Sequence, residues 1–327
     1  IALMVNASVL WSTYEYGKDT IRGKSNLTQH TTEPSDGLPK NYAYEYSQTV
    51  GETFTFLVPN AYGGETGLSA LDLANSDLNK ALVGAGIPQE QVAPALQQLA
   101  GMGLRISTYW GDKPLTSGPH YLGAVICFLF IFGLLIVRSR LKWWLLGSVV
   151  LTILLSFGNS FPYVSDIFFN YFPLYNKFRA IESILAVTGL CVPILAILAL
   201  NETTLITDKA YLWKKLKIAF YITGGLTLLL IVYPEMFLSF RPADHLTLVK
   251  ELAQVLKGDT NSANIIMNAL VSDRKDLERT DAIRSLIFIV IAFGILWAFI
   301  KHKTKVTLGS GVGLALILVD LGQIYKR

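Results

Sequence analysis

Charged residues are scarce in this chain of 327 residues, at 16% of the total, whereas hydrophobic residues make up 52%. A typical soluble domain carries about 25% charged residues, and a disordered chain has few apolar ones. The shortage of charge therefore argues against a soluble domain, and the high apolar content argues against a disordered chain. Because the apolar residues cluster into runs near bilayer length, a coiled coil and an outer-membrane barrel are excluded as well. The composition predicts a membrane protein with several transmembrane helices.

Residues that build metal and disulfide sites are also few. The chain has two cysteines, both within apolar runs, and four scattered histidines. We therefore predict no disulfide framework and no metal site, and no cofactor is evident, although the need for a divalent metal stays open. The sequence lacks a phosphate-binding P-loop, HExxH, GxSxG and a Gly-rich dinucleotide turn, so cytosolic nucleotide chemistry is not expected. The net charge of +4 arises beside apolar runs, so nucleic acid is not an expected partner.

Six apolar runs approach the length that crosses about 30 Å of hydrocarbon. They lie at 118–137, 143–157, 181–200, 218–233, 285–300 and 306–324. Residues 1–10 are apolar over about half that length, and we interpret them as the outer end of a further helix that begins outside this sequence. The predicted fold is an all-α polytopic membrane protein with six full transmembrane helices and the end of a seventh.

Three short connections set the expected topology. Residues 138–142, 213–217 and 301–305 are rich in Lys and Arg, and basic short loops face the cytoplasm. The long segments between the other spans then lie on the outer side of a bacterial cytoplasmic membrane. The expected domains are the end of a truncated helix at 1–10, an extracytoplasmic loop domain at 11–117 and a transmembrane domain at 118–327 with outer loops at 158–180 and 234–282.

The outer segments have patterns of their own, which predicts that they are folded. The run TFTFLV at 53–58 resembles a short strand, and Gly63-Gly64 predicts a turn after it. Residues 69–98 place Leu and Ala at helical spacing with a break at Pro88, and 246–277 shows the same spacing. We expect two short helices in the first of these two segments and a helical cap in the second.

Basic residues at the outer end of a span run against the positive-inside bias, and the sequence places Lys177 and Arg179 there. Free backbone N–H groups at a helix start attract anions, and an arginine fork grips phosphate oxygens with two hydrogen bonds. We predict that Lys177 and Arg179 bind a lipid phosphate, with Glu182 in support. The alternative is an Arg179–Glu182 ion pair at i,i+3 that only holds the helix end.

Other ionisable residues have less specific surroundings. The alternating charges at 272–285 are typical of a solvated helix, but Asp281 and Arg284 lie nearest the membrane and are supporting candidates. Glu52 precedes an apolar run among aromatics, so it could bind a sugar hydroxyl or be a plain surface carboxylate. For Glu235 and Asp320, the simpler interpretation is a juxtamembrane residue that reaches water or pairs with a neighbour.

Several stretches together resemble bacterial YfhO-like integral membrane proteins. They are ETFTFLVPNAYGG (52–64), STYWGDKPLTSGPHYLGA (107–124), YFPLYNKFRAIESIL (171–185) and DLERTDAIRS (276–285). That family is similar to the GT-C superfamily of multi-span glycosyltransferases, which transfer a sugar from a polyprenyl-phosphate donor to an acceptor outside the cytoplasmic membrane. GT-C enzymes usually carry their acidic catalytic or metal-binding residue in the first outer loop. We expect that loop to lie in an earlier part of the protein, so no catalytic base is assigned.

The resemblance implies a membrane glycosyltransferase-like protein that uses a lipid-linked sugar and a cell-envelope glycan, lipid or protein as acceptor. Neither the sugar nor the acceptor follows from the residues. Two alternatives stay open: a transporter or flippase of a lipid-linked sugar, and a non-enzymatic envelope scaffold. A transporter needs polar or broken helices at mid-membrane, and the only candidate breaks are Pro193 and Gly224-Gly225.

Overall fold

A computed structural model describes residues 2–20, 37–302 and 306–325. The described residues form α-helices and short 3-10 helices, with no β-strand among them. The α-helices are α1 (Ala2–Val5), α2 (Ala7–Gly17), α3 (Lys40–Ala43), α4 (Asp77–Gly84), α5 (Val92–Gly101), α6 (Ala124–Ile136), α7 (Leu141–Ser156), α8 (Pro162–Tyr171), α9 (Leu185–Leu205), α10 (Lys209–Val232), α11 (His245–Val255), α12 (Thr260–His302) and α13 (Val306–Tyr325). The prediction of an all-helical protein is confirmed in this part of the chain.

Each of the six predicted apolar runs overlaps one α-helix, from α6 and α7 through α9, α10, α12 and α13. Three segments are long and apolar enough to cross a membrane: Ile181–Leu205, Lys209–Val232 and Thr260–Lys301. Shorter apolar helices cover Ala124–Ile136, Leu141–Ser156 and Gly313–Ile324. The transmembrane character of the protein is therefore supported by three candidate spans.

The predicted strand at 53–58 is wrong. Residues Val50–Phe56 form a 3-10 helix, in which the Thr55 hydroxyl donates a 2.6 Å hydrogen bond to the Glu52 carbonyl. A threonine that bonds its own turn offers the backbone an alternative to a strand ladder. The predicted turn that follows is confirmed, since Gly63 and Gly64 have φ of 83° and 82°. A side chain at Gly63 would collide with the Thr108 carbonyl, because a Cβ atom there would lie 1.9 Å from the carbonyl oxygen.

The chain divides into two compact units. The small unit comprises residues 1–50 and 150–186, and the large unit comprises 51–149 and 187–327. The predicted boundaries after residues 10 and 117 concern membrane sidedness and stay predictions. Residues 21–36 of the predicted loop domain and 303–305 of the last basic connection lie outside the described residues.

The core of the small unit forms around Tyr44. Leu38, Ala43, Tyr44 and Ile181 are buried together, and the ring of Phe169 meets Tyr44 edge-on at 5.5 Å between centroids. Burial and the Asp166 carboxylate raise the pKa of Tyr44 above its ordinary range. This core joins the segment after residue 37 to α8 and to the chain that leads into α9.

The large unit has an apolar core formed by α4, α5, α11 and the first part of α12, as its buried residues show. They are Leu78, Leu82, Val92, Leu96, Leu99, Leu104, Ile106, Leu248, Val249, Leu252, Ala253, Ala263, Ile266, Met267 and Leu270. The two helices predicted within 69–98 correspond to α4 and α5, separated by a 3-10 turn at Gln89–Gln91 after Pro88. The helical cap predicted within 246–277 is also confirmed, since these residues form α11 and the start of α12. We call this assembly the cap.

One carboxylate links α4 to α12. The Asp273 side chain accepts hydrogen bonds from the backbone N–H groups of Asp77 and Leu78, at 2.8 and 2.9 Å, at the start of α4. The first N–H groups of a helix have no partner within it, and a carboxylate there also meets the favourable end of the helix dipole. Asp273 therefore fixes the start of α4 against α12.

Candidate functional site

Arg179 lies in the small unit, in the loop between α8 and α9. Its guanidinium stands 4.2 Å from the ring centroid of Tyr42 and 5.1 Å from that of Tyr46. One Nη donates to the Tyr42 hydroxyl at 3.0 Å, and the other forms an ion pair with Glu45. The hydrogen bond with Glu45 raises the pKa of Arg179 above its ordinary value. The side chain is thus a fixed cation, and about a third of it is exposed (34%).

The guanidinium of Arg179 has five N–H donors, and the contacts with Tyr42 and Glu45 use one on each Nη. Its Nε is buried and has no hydrogen-bond partner within the described part of the chain. Arginine binds carboxylates and phosphates most strongly through two parallel N–H donors. A single carboxylate oxygen of Glu45 takes one donor, so Glu45 does not use the guanidinium as a two-bond fork.

The placement of these residues differs from the predicted helix start. Lys177 ends a 3-10 turn, Tyr175–Lys177, and α9 begins only at Leu185, after a second 3-10 turn at Ile181–Ile184. The chain between the turns passes through Ala180, which has a left-handed φ of 59°. Lys177 and Arg179 therefore lie in the loop directly before the candidate span that begins at Ile181, and not in the first turn of its helix. Glu182, in the second turn, is the acidic residue at that position.

Arg179 forms an ion pair with Glu45, and both partners belong to the small unit. The alternative pair of Arg179 with Glu182 stays a prediction. Nothing in the spacing of the sequence links positions 45 and 179. The signal was the run of tyrosines around Glu45, since aromatic faces attract a guanidinium.

In the large unit, Arg284 belongs to a buried cluster that joins three helices. It forms a 2.9 Å ion pair with Asp320 on α13, and its Nε donates to Gln323 at 2.9 Å. The Tyr121 hydroxyl donates to the same Asp320 oxygen at 2.6 Å. The other oxygen of Asp320 accepts from the N–H of Val125, at 3.3 Å, in the first turn of α6.

Arg284 and Asp320 have a structural role in this cluster, because their contacts connect α6, α12 and α13. Asp320 is 1% exposed, so the interpretation that it reaches water is wrong, whereas the interpretation that it pairs with a neighbour is confirmed. The Tyr121 hydroxyl, which donates to Asp320, accepts a 2.9 Å hydrogen bond from the Ala124 N–H and so ties the start of α6 to the same carboxylate. A supporting role for Arg284 at a donor site stays a prediction.

Glu52 is buried and is not the surface carboxylate that was one of its two interpretations. It is 3% exposed, and its Oε1 lies 3.3 Å from the Lys113 ammonium and accepts a 2.9 Å hydrogen bond from the Tyr109 hydroxyl. The same hydroxyl accepts a 3.3 Å hydrogen bond from the Lys113 backbone N–H. Glu52 therefore anchors the loop at 109–113 to the 3-10 helix at Val50–Phe56.

A row of buried polar residues on α12 is the main feature that the sequence did not predict. Arg274, Glu278, Asp281 and Ser285 are each at most 1% exposed. Their spacing of four, three and four residues places them on one face of the helix. We call these four residues the polar row. The prediction of a solvated helix holds for Asp276, Arg279 and Thr280, which are exposed, and is wrong for Arg274 and Glu278, which are buried. Asp281 was excepted from that prediction.

The two ends of the polar row donate hydrogen bonds to backbone carbonyls. Arg274 donates from Nε and one Nη to the Ser107 carbonyl, at 3.2 and 2.6 Å, and from the other Nη to the Phe240 carbonyl at 2.9 Å. Ser285 donates to the Leu57 carbonyl at 2.8 Å. The ends of the row therefore supply hydrogen-bond donors to backbone carbonyls of loops.

Glu278, in the middle of the row, is different. Its exposure is 0%, and neither carboxylate oxygen finds a hydrogen-bond partner in the described residues. Leaving a buried polar group unpaired is costly, and such groups in native proteins often mark a functional site. Asp281 follows at i+3, so two carboxylates lie close together on this face.

A signal for the row was present in the sequence. The buried face of α12 is apolar before the charged cluster, at Ala263 and Leu270, and apolar again after it, at Ile289 and Ala292. Extending that face through the cluster at helical spacing passes through the four polar positions.

The described residues contain no group of three or more His, Cys, Asp or Glu side chains that could hold a metal ion. Comparisons of the chain with protein-family models, with curated proteins and with solved structures find no match.

Proposed function

We propose that this chain is part of a membrane glycosyltransferase-like protein that binds a polyprenyl-phosphate-linked sugar at the outer face of a bacterial cytoplasmic membrane. The sugar then passes to a cell-envelope acceptor, and the polyprenyl phosphate is the leaving group. The proposal includes six membrane crossings, formed by α6, α7, α9, α10, α12 and α13, with the cap on the outer side. Support comes from the candidate spans and from the basic short connections between them.

The observation that best supports the proposal is the set of contacts around the Arg179 guanidinium. The guanidinium lies close to two tyrosine rings, the side chain is one-third exposed, and Nε has no partner among the described residues. We interpret it as an anion site in which Glu45 occupies one position. A phosphate has more acceptor oxygens than a carboxylate and can use both donors of the fork. We infer that the donor phosphate displaces Glu45 from Arg179 and that Lys177 adds charge nearby.

Binding of a polyprenyl phosphate to the purified full chain tests this inference. Replacing Arg179 with alanine is expected to weaken binding about ten- to hundred-fold, because a charge-assisted hydrogen bond contributes about 1.5–3 kcal/mol. Arg179→Lys should restore it only in part, since lysine keeps the charge without the fork. Glu45→Gln should strengthen binding, because it removes the competing carboxylate. Glu182→Gln should change binding little.

Lys40 provides a matched control. It forms an ion pair with Asp166 at 2.8 Å in the same unit, and its side chain is similarly exposed (44%). Lys40→Ala should leave lipid binding unchanged. Equal affinity in the wild type and Arg179→Ala would refute phosphate binding by Arg179.

Transfer and transport are separated by the fate of the donor. In proteoliposomes with a lipid-linked sugar and an envelope extract as acceptor, a transferase releases polyprenyl phosphate, which mass spectrometry detects. A flippase moves the lipid and leaves its sugar bond intact. The helices favour the transferase, since α9 continues through Pro193 and α10 continues through Gly224 and Gly225 without a break.

A further inference from the structure

The helix α8 in the small unit has two faces of opposite character. On the inner face, the Ser165 hydroxyl donates a 3.0 Å hydrogen bond to the Leu155 carbonyl, and Phe169 packs edge-on against Tyr44. Asp166 lies on the same side and accepts hydrogen bonds from Lys40 at 2.8 Å and from the Tyr44 hydroxyl at 3.1 Å. These contacts fix the rotation of α8 about its axis.

The outer face of α8 is apolar and exposed. Tyr163, Ile167 and Tyr171 follow at i, i+4 and i+8, and they are 73%, 59% and 83% exposed. Residues at that spacing lie on one side of a helix. We call these three residues the aromatic face. An exposed apolar face on a helix whose other side is fixed marks an interaction surface.

Two observations identify what covers this face. The first is its attachment: α7 ends at Ser156, α8 begins at Pro162, and the candidate span Ile181–Leu205 follows shortly after. Five connecting residues reach at most about 18 Å. The helix is therefore held close to the ends of two apolar helices, where the lipid headgroups lie.

The second observation is composition and charge. Nine of the 22 residues at 157–178 are aromatic, and only Asp166 and Lys177 are ionisable in water at neutral pH. Because Asp166 is neutralised by Lys40, the segment presents no unpaired acidic group to an anionic surface. Tyrosine is enriched at the membrane–water interface, phenylalanine is common on the apolar face of helices that lie in the interface, and a basic residue beside them favours anionic lipid.

We propose that the aromatic face rests in the headgroup region of the lipid bilayer, with α8 parallel to the membrane plane. The helix then lies in the interface without crossing the membrane, since ten residues span only about half of the hydrocarbon core. This proposal depends on the membrane character of the protein and is independent of the sugar-transfer reaction.

Spin labelling of the full chain in liposomes tests the proposal. A nitroxide is attached at Ile167→Cys after Cys127→Ala and Cys191→Ala, and collision with oxygen is compared with collision with a water-soluble nickel chelate. We expect high oxygen and low nickel accessibility, at a depth of about 5–10 Å below the headgroups. Gln98→Cys on α5 is the matched control, since it is an exposed helical position of the cap, and it should show the reverse.

Two results would overturn the proposal. Nickel accessibility at 167 as high as at 98 would place the face in water. Low accessibility to both reagents would show that protein covers it, either a second copy of this chain or another partner. Labelling of the unmodified protein with a diazirine lipid gives an answer that does not depend on the cysteine variants: a peptide containing 163–171 should carry the label, and its absence would contradict the proposal.

Discussion

Glu278 and Arg274 lie one turn apart on α12, and both are buried, but replacing them with methionine is expected to change stability in opposite directions. The Glu278 oxygens have no hydrogen-bond partner among the described residues, whereas Arg274 donates three hydrogen bonds to two loop carbonyls. Methionine is close in size to both side chains, so packing is largely retained. The comparison therefore isolates the polar contacts.

The expected magnitudes follow from these contacts. Removing a buried carboxylate with unsatisfied oxygens should stabilise the protein by about 1–3 kcal/mol, which is the usual cost of such a group. Removing Arg274 leaves two buried carbonyls without donors and should cost about 2–5 kcal/mol. The two variants should therefore differ by about 3–8 kcal/mol, which at about 2–4 °C per kcal/mol is a difference of about 6–30 °C in melting temperature.

Thermal unfolding in detergent, followed by intrinsic fluorescence, measures this difference. Glu278→Gln should stabilise less than Glu278→Met, because the amide is neutral but still lacks partners. If Glu278→Met lowers the melting temperature as much as Arg274→Met does, the carboxylate has a stabilising partner in the protein, such as a cation, and the reasoning fails.

Three further predictions concern other parts of the large unit. Asp320→Ala should lower the free energy of unfolding by about 3–5 kcal/mol, because it leaves Arg284 without its buried partner. The melting temperature measures this loss, and a loss below about 1 kcal/mol would contradict a structural ion pair. Burial, followed by the charges of neighbouring arginines, lowers the pKa of His245. The unfolded chain therefore binds the proton first as pH falls, and the free energy of unfolding should decrease below about pH 6.5. His245→Gln should flatten this part of the pH–stability curve. A cysteine at Ser139 should be protected from an impermeant thiol reagent in intact cells while one at Ser117 is labelled, and the opposite pattern would invert the topology.

The helical architecture could be predicted from two features of the sequence. Apolar runs of bilayer length predicted helices at the positions of α6, α7, α9, α10, α12 and α13, and Leu and Ala at helical spacing predicted α4 and α5. The 3-10 helix at Val50–Phe56 was missed because alternating apolar and polar residues over so short a run also fit a strand. Local hydrogen bonding by Thr55 decides between the two.

The surroundings of the candidate site residues could not be predicted in the same way. The ion pair of Arg179 with Glu45 joins positions 134 residues apart, and the pairing of Glu52 with Lys113 joins positions 61 apart. Long-range partners of charged residues depend on how the elements pack, which one sequence does not determine. The residue type still limited the possible surroundings of each side chain, since a charge next to an apolar run must either reach water or find a partner.

The length of α12 has a mechanical consequence. At 1.5 Å per residue, its 43 residues extend about 64 Å, roughly twice the hydrocarbon thickness of a bilayer. One end packs in the cap core, and the other end supplies the apolar stretch of a candidate span. A continuous helix resists bending at any point between them, so it acts as a lever. A movement that tilted the cap end of α12 by a few degrees would tilt its apolar end through the same angle.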